Sequence, residues 1–123
     1  MLLNEIDAAQ MRRTMAADPD RCISAATVLE CCLVLHGKVG TSDKIVECWV
    51  DQFLFDGQLV LEPVTTEQLA VSRRAYVTCG KGMGHPAQLN FGDCFSYALA
   101  KTLEALLLYK GGDFGKTDIR SAL

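Results

Sequence analysis

The sequence predicts an α/β fold, and three observations carry the prediction. Short β-rich apolar runs (CISAATV, LVLEPV, LLLYK) recur along the chain. Between them lie longer segments whose apolar residues return at helical spacing. The junctions are rich in Gly, Pro, Asp and Ser, the residues that break regular structure. Strands that alternate with helices pair in parallel and carry helices on the faces of the sheet. The expected architecture is therefore a three-layer sandwich, and 123 residues suit a single domain over 1–123 with a real core.

The elements follow in order. A helix is expected from Leu2 to about Ala17, broken by DPDR at 18–21. CISAATV reads as a buried strand that runs almost at once into VLECCLVLHG, a helix stopped by Gly37 and Gly40. In SDKIVECWVDQFLFDG, Ile45, Val46, Trp49, Val50, Phe53 and Leu54 keep helical spacing, and Ser42 is placed to cap the start. LVLEPV is a short strand. Thr65 and Gln68 have the spacing of a capping box and open a helix that runs to Gly80. KGMGHPAQ is a loop, FGDCFSYALAKTLEA a helix, LLLYK a strand, and the DIRSAL tail a last short strand.

Composition narrows the function. Half the residues are hydrophobic and 22% are charged, which argues against disorder. No apolar run approaches the roughly 20 residues of a membrane span. The opening MLLNEID carries acids where an export signal would carry a basic segment. A net charge of −3 argues against a broad electrostatic grip on nucleic acid, while leaving room for a local basic rim around an acidic pocket. The six cysteines form no CxxC pair and sit in apolar surroundings, so buried, reduced thiols and a cytoplasmic location are expected.

Three acids stand out by topology. Helices in such folds begin at the edge where the parallel strands end, and open α/β sheets bind ligands there. Asp93 opens a helix, Asp113 follows a strand, and Glu30 lies in the first turns of the helix after CISAATV. All three are expected at that edge. Each also has an ordinary reading: Asp93 complements a helix dipole, Asp113 sits in a turn, and Glu30 is a solvated helix position. Glu30 fits its ordinary reading least, because VLECCLVL is apolar around it and a carboxylate there needs a partner or a cation. Gathered carboxylates repel unless a hard divalent ion neutralises them.

ISAATVLE, then LNFGDCFSYALAK, then LLLYKGGDF with TDI behind it, resembles the PIN-domain ribonucleases, in particular the VapC-type toxins of bacterial toxin–antitoxin pairs. The resemblance runs in order through nearly the whole chain. It implies a parallel sheet, an acidic cluster that binds Mg²⁺ or Mn²⁺, cleavage of RNA, a VapB-type antitoxin that blocks the site, and a homodimer. Matched motif by motif, the metal-holding and catalytic acids are Glu30, Asp93 and Asp113, with Asp118 of TDI as a substitute for the last. Lys81, His85, Lys101 and Lys110 are the candidates for a basic rim that holds RNA phosphate.

Two departures accompany the resemblance. The family opens with a strand ending in an Asp, central in the order 3-2-1-4-5, and MLLNEIDAAQ resembles the segment just after it. The expectation is thus a PIN-like domain that is amino-terminally short, its native start upstream of Met1, with neither Glu5 nor Asp7 replacing the missing ligand. Relatives often read GKGRHPA where this chain has GKGMGHPA, so Met83 and Gly84 stand in for an arginine. Two functions are therefore carried forward: a Mg²⁺-dependent endoribonuclease toxin, or an inactive PIN-like module that binds antitoxin or dimerises without cutting RNA.

Overall fold

In the computed structural model, which describes residues 7–123, helix α1 (Ala8–Ala17) ends where the DPDR turn begins. The Asp18 carboxylate accepts the Asp20 amide at 2.9 Å, a local bond that competes with further helix. Arg21 then ties the turn down: Nη1 donates to the Met15 carbonyl (2.6 Å) and Nη2 to Gln58 Oε1 (2.7 Å). Asp7 stands at the N-cap of α1, whereas the helix expected over residues 2–6, and Glu5 with it, lies outside the described residues.

The chain divides into two compact units, Met1–Glu62 and Pro63–Leu123. In the first, strand β1 (Cys22–Ser24) is shorter than the CISAATV run, because Ser24 is already an N-cap. Its hydroxyl accepts the Ala26 amide (3.3 Å) and opens helix α2 (Ala25–Val39). Gly37 does not stop this helix. The stop is Gly40, whose φ of 62° is left-handed and favours glycine. Helix α3 (Asp43–Asp56) follows, then strand β2 (Val60–Glu62), which pairs in parallel with β1 from Cys22↔Val60 to Ser24↔Glu62. The core of the unit is a helix–helix seam: Cys32 and Leu35 of α2 against Val46 and Val50 of α3, flanked by Val28, Cys31, Val39 and Leu54. These positions recur every three or four residues, as a buried helical stripe must.

In the second unit, Thr65 accepts the Gln68 amide (3.1 Å) and opens helix α4 (Thr66–Cys79). Helix α5 (Phe91–Thr102) packs beside it, and Ser72 Oγ donates to the Cys94 carbonyl (3.2 Å) across the pair. Cys79, Ala87, Leu89, Cys94 and Phe114 form the core, with Tyr97, Leu107 and Tyr109 packed against it. The expected loop at 81–88 is closed at its stem, where Lys81 N–H donates to Leu89 (2.9 Å) and Leu89 N–H to Cys79 (2.8 Å). Gly80 is required at that stem, since a Cβ there would lie 2.2 Å from the Tyr76 carbonyl oxygen.

Two expectations about the carboxyl-terminal end are corrected. Helix α5 stops at Thr102, and Glu104 turns left-handed (φ 53°). LLLYK and the tail do not form strands but meet in a single parallel bridge, Leu107↔Ser121. A strand exists only through a neighbour, and here the neighbour is a few residues of tail. Every pairing among the described residues is parallel, in keeping with the predicted α/β class. The expected absence of a central first strand is untouched by these pairings.

All six cysteines are free. Cys32, Cys79 and Cys94 are buried, and Cys22 and Cys31 half-buried, but Cys48 is exposed, which corrects the expectation of uniformly buried thiols. On α3 the inward positions are Val46 and Val50, and Cys48 falls between them on the outer face. No helix among the described residues is long and apolar enough to cross a membrane.

Candidate functional site: a carboxylate pair at the start of helix α5

Asp93 is held by its own helix end. The Asn90 side chain accepts the Asp93 amide (2.8 Å), and Asp93 Oδ2 accepts the Asn90 amide (3.0 Å), a reciprocal capping box. The dipole-complementing role read from the sequence is therefore real. It does not exhaust the residue, since the other carboxylate oxygen is not used in the box. Burial pushes the Asp93 carboxyl above its ordinary range; the Asn90 N–H opposes this, and the negative charge of Asp113 adds to it.

Asp113 approaches Asp93 through the segment after Leu107. Phe114, next along the chain, is buried in the core, its ring 5.3 Å from that of Tyr109 and tilted 50°. A 3₁₀ turn, Phe114–Lys116, begins there, with the Lys116 amide donating to the Asp113 carbonyl (3.2 Å). Asp113 itself is exposed and stands near enough for its charge to be felt at Asp93. The two carboxylates, Asp93 half-buried and Asp113 exposed, repel one another.

The remaining candidates are placed as follows. Asp118 does not stand open: Tyr97 Oη donates to Oδ1 (2.6 Å) and Lys101 Nζ to Oδ2 (2.7 Å). Those two bonds hold its carboxyl below the usual range. Lys101, read as a rim cation, is thereby paired. Lys81 and Lys110 are exposed. His85 accepts the Ala87 amide at Nδ1 (3.0 Å), which fixes the ring in its loop. Glu30 belongs to the other unit, half-buried in the second turn of α2. Among the described residues, no three His, Cys, Asp or Glu side chains form a metal-holding group.

Sequence reasoning missed Asn90 and Tyr97. Both left a signal. Asn three residues before Asp is capping-box spacing, and Asp93, Tyr97 and Lys101 fall at i, i+4 and i+8 on one face of α5.

This fold and its acidic helix start correspond to a known class. The PIN domain matches residues 1–120, and the chain belongs to the PIN-domain family, in its VapC branch. VapC ribonuclease Mb0625 of Mycobacterium bovis and ribonuclease VapC28 of Mycobacterium tuberculosis are each 43% identical to it over 123 residues, which is 100% of this chain and 90% of either relative. Ribonuclease VapC30 of Mycobacterium tuberculosis is 41% identical over 120 residues, 97% of this chain and 88% of the relative.

Proposed function

We propose that this chain is an endoribonuclease of the VapC kind, a toxin whose partner is a VapB-type antitoxin and whose acidic site works with Mg²⁺ or Mn²⁺. The observation that carries the reading is the capping box that fixes the half-buried Asp93 at the start of α5, with the negative charge of Asp113 felt there. Kinship with proteins named ribonucleases supports the reaction class. The cytoplasm, RNA as substrate and a homodimer belong to the same proposal.

Asp93 and Asp113, both of the second unit, would hold the cation. Such an ion, when bound, readies a water for attack on a phosphodiester and stabilises the leaving oxygen. The other parts come from the chain. The Asn90–Asp93 box fixes one carboxylate so that it need not reorganise during reaction. Lys81 and Lys110 supply positive charge for the RNA backbone. His85, with Nδ1 accepting a backbone N–H, carries its neutral-state proton on Nε2 and offers that N–H to a phosphate oxygen.

One observation favours the second reading, a PIN-like module that binds antitoxin or dimerises without cutting RNA. Leu29 and Leu33, one turn apart on α2, are 61% and 64% exposed and present an apolar stripe. Mn²⁺-dependent cleavage of RNA by this chain, by Asp93→Asn and by a version carrying an added amino-terminal strand ending in Asp separates the two. Cleavage that Asp93→Asn abolishes supports the nuclease. No cleavage by any of the three supports the binding module.

A further inference from the structure

Asp118 occupies a particular place in the second unit. Both of its oxygens are engaged by residues of α5: Tyr97 at 2.6 Å and Lys101 at 2.7 Å, one helical turn apart. Asp93 lies one turn further toward the start of the same helix. The segment from Asp113 to Ile119 also has bonds within itself and contacts to the rest of its unit. Phe114 and Ile119 are buried, Thr117 Oγ1 donates to the Phe114 carbonyl (2.7 Å), and the Ile119 amide donates to Thr117 Oγ1 (3.2 Å). Lys116 Nζ reaches the Pro86 carbonyl (3.2 Å). Phe114 packs in the same core cluster as Cys94 of α5, and the two Asp118 bonds add polar ties between this segment and that helix. A divalent cation arriving at Asp118 would face the Lys101 ammonium at contact distance and displace a charge-assisted bond.

We infer that Asp118 is a positioning residue and not a metal ligand: through Tyr97 and Lys101 it clasps the 113–119 segment to α5 and so sets Asp113 opposite Asp93. The inference rests on the carboxylate site proposed above. It also separates two acids that the sequence offers as interchangeable: the charge of Asp113 is felt at Asp93, whereas Asp118 is bonded to Lys101.

The decisive variant is Lys101→Met, for which the two roles predict opposite signs. If Asp118 held the metal, removing its competing ammonium would tighten Mn²⁺ binding. If Asp118 is a clasp, Lys101→Met loosens the segment and weakens Mn²⁺ binding about tenfold, the scale at which groups that orient metal ligands act. Mn²⁺ titrations of the full chain compare wild type, Lys101→Met, Asp118→Asn, Tyr97→Phe and the Asp118→Asn/Lys101→Met double variant. A clasp predicts that the double variant loses no more than the stronger single variant. Amide hydrogen exchange, measured without metal, supplies the readout that a ligand role would not move. The Lys116 and Thr117 amides exchange at least about fivefold faster in Asp118→Asn while the far-UV spectrum stays that of wild type. Tighter Mn²⁺ binding by Lys101→Met, or unchanged exchange in Asp118→Asn, overturns the clasp. A wild-type chain that binds no Mn²⁺ overturns the proposed metal site instead, and hydrogen exchange then decides the clasp alone.

Discussion

The Asp93 carboxyl titrates above its ordinary value because burial, and then the Asp113 charge, outweigh the opposing Asn90 N–H. Asp118 is shifted the other way by Lys101 and Tyr97. The signs of their pH dependence are therefore opposite. Asp93 holds its proton more tightly in the folded chain, so its contribution to stability is present below the ordinary carboxylate value and is lost as pH rises through the raised one. Asp118 contributes above the ordinary value, and that is lost as pH falls through the lowered one. Asp93→Asn, which keeps an oxygen to accept the Asn90 amide, is expected to gain stability relative to wild type between pH 3 and pH 7. The same variant loses divalent-dependent cleavage by about 100-fold or more, since cation stabilisation of a transition state is worth several kcal/mol. Asp118→Asn is expected to lose stability at pH 7, and its deficit against wild type shrinks as pH falls through the lowered Asp118 value. Thermal unfolding at the two pH values checks both. Asp93, and the face it shares with Tyr97 and Lys101, were legible in NFGDCFSYALAK, but the meeting of that face with Asp118 was not. The approach of a tail to a helix face is tertiary, and nothing near Asp118 in sequence announces Tyr97 or Lys101.

Elements were legible where local chemistry decides them. Ser24, Thr65 and Asn90 cap their helices with side-chain oxygens, and removing such a cap costs about 1 kcal/mol. Asn90→Ala is expected to lose that much in denaturant unfolding and also to free Asp93 from its box, weakening Mn²⁺ binding with it. Glycines were less legible. Gly37 and Gly40 look alike in sequence, yet only Gly40 needs a positive φ. Gly80 has an ordinary extended φ of −69° and is needed for a different reason, the close Tyr76 carbonyl. Gly80→Ala is expected to destabilise by about 1–3 kcal/mol, the usual cost of forcing atoms into filled space, read as a lower denaturant midpoint. LLLYK misled because its composition is that of a strand, while strand formation depends on what lies alongside. Along this run only Leu107 finds a bridge.

At the scale of the molecule, composition, charge and element order led to the α/β class, and the ordered motifs led to the family. A chain of net charge −3 with Lys81, His85 and Lys110 as its rim has few cations to offer RNA. Single-strand binding, measured with Asp93→Asn to prevent cleavage, is expected to weaken with salt at a log–log slope of only about 2, as for two or three phosphates neutralised. The two-unit division was not visible in the sequence, because no linker composition marks position 62. Each unit has its own apolar centre, and Leu89 of the second is the largest fully buried side chain among the described residues. Leu89→Ala is expected to cost about 2–5 kcal/mol in unfolding free energy.

Helix α3 places the exposed thiol of Cys48 directly before Trp49, the only tryptophan of the chain and 43% exposed. Cys22, Cys31, Cys32 and Cys94 are held protonated by burial, so a maleimide dye reacts first at Cys48. The helix then carries a fluorescent donor and its acceptor side by side. Any macromolecule that settles over α3 announces itself in the emission spectrum, with every carboxylate left as nature placed it.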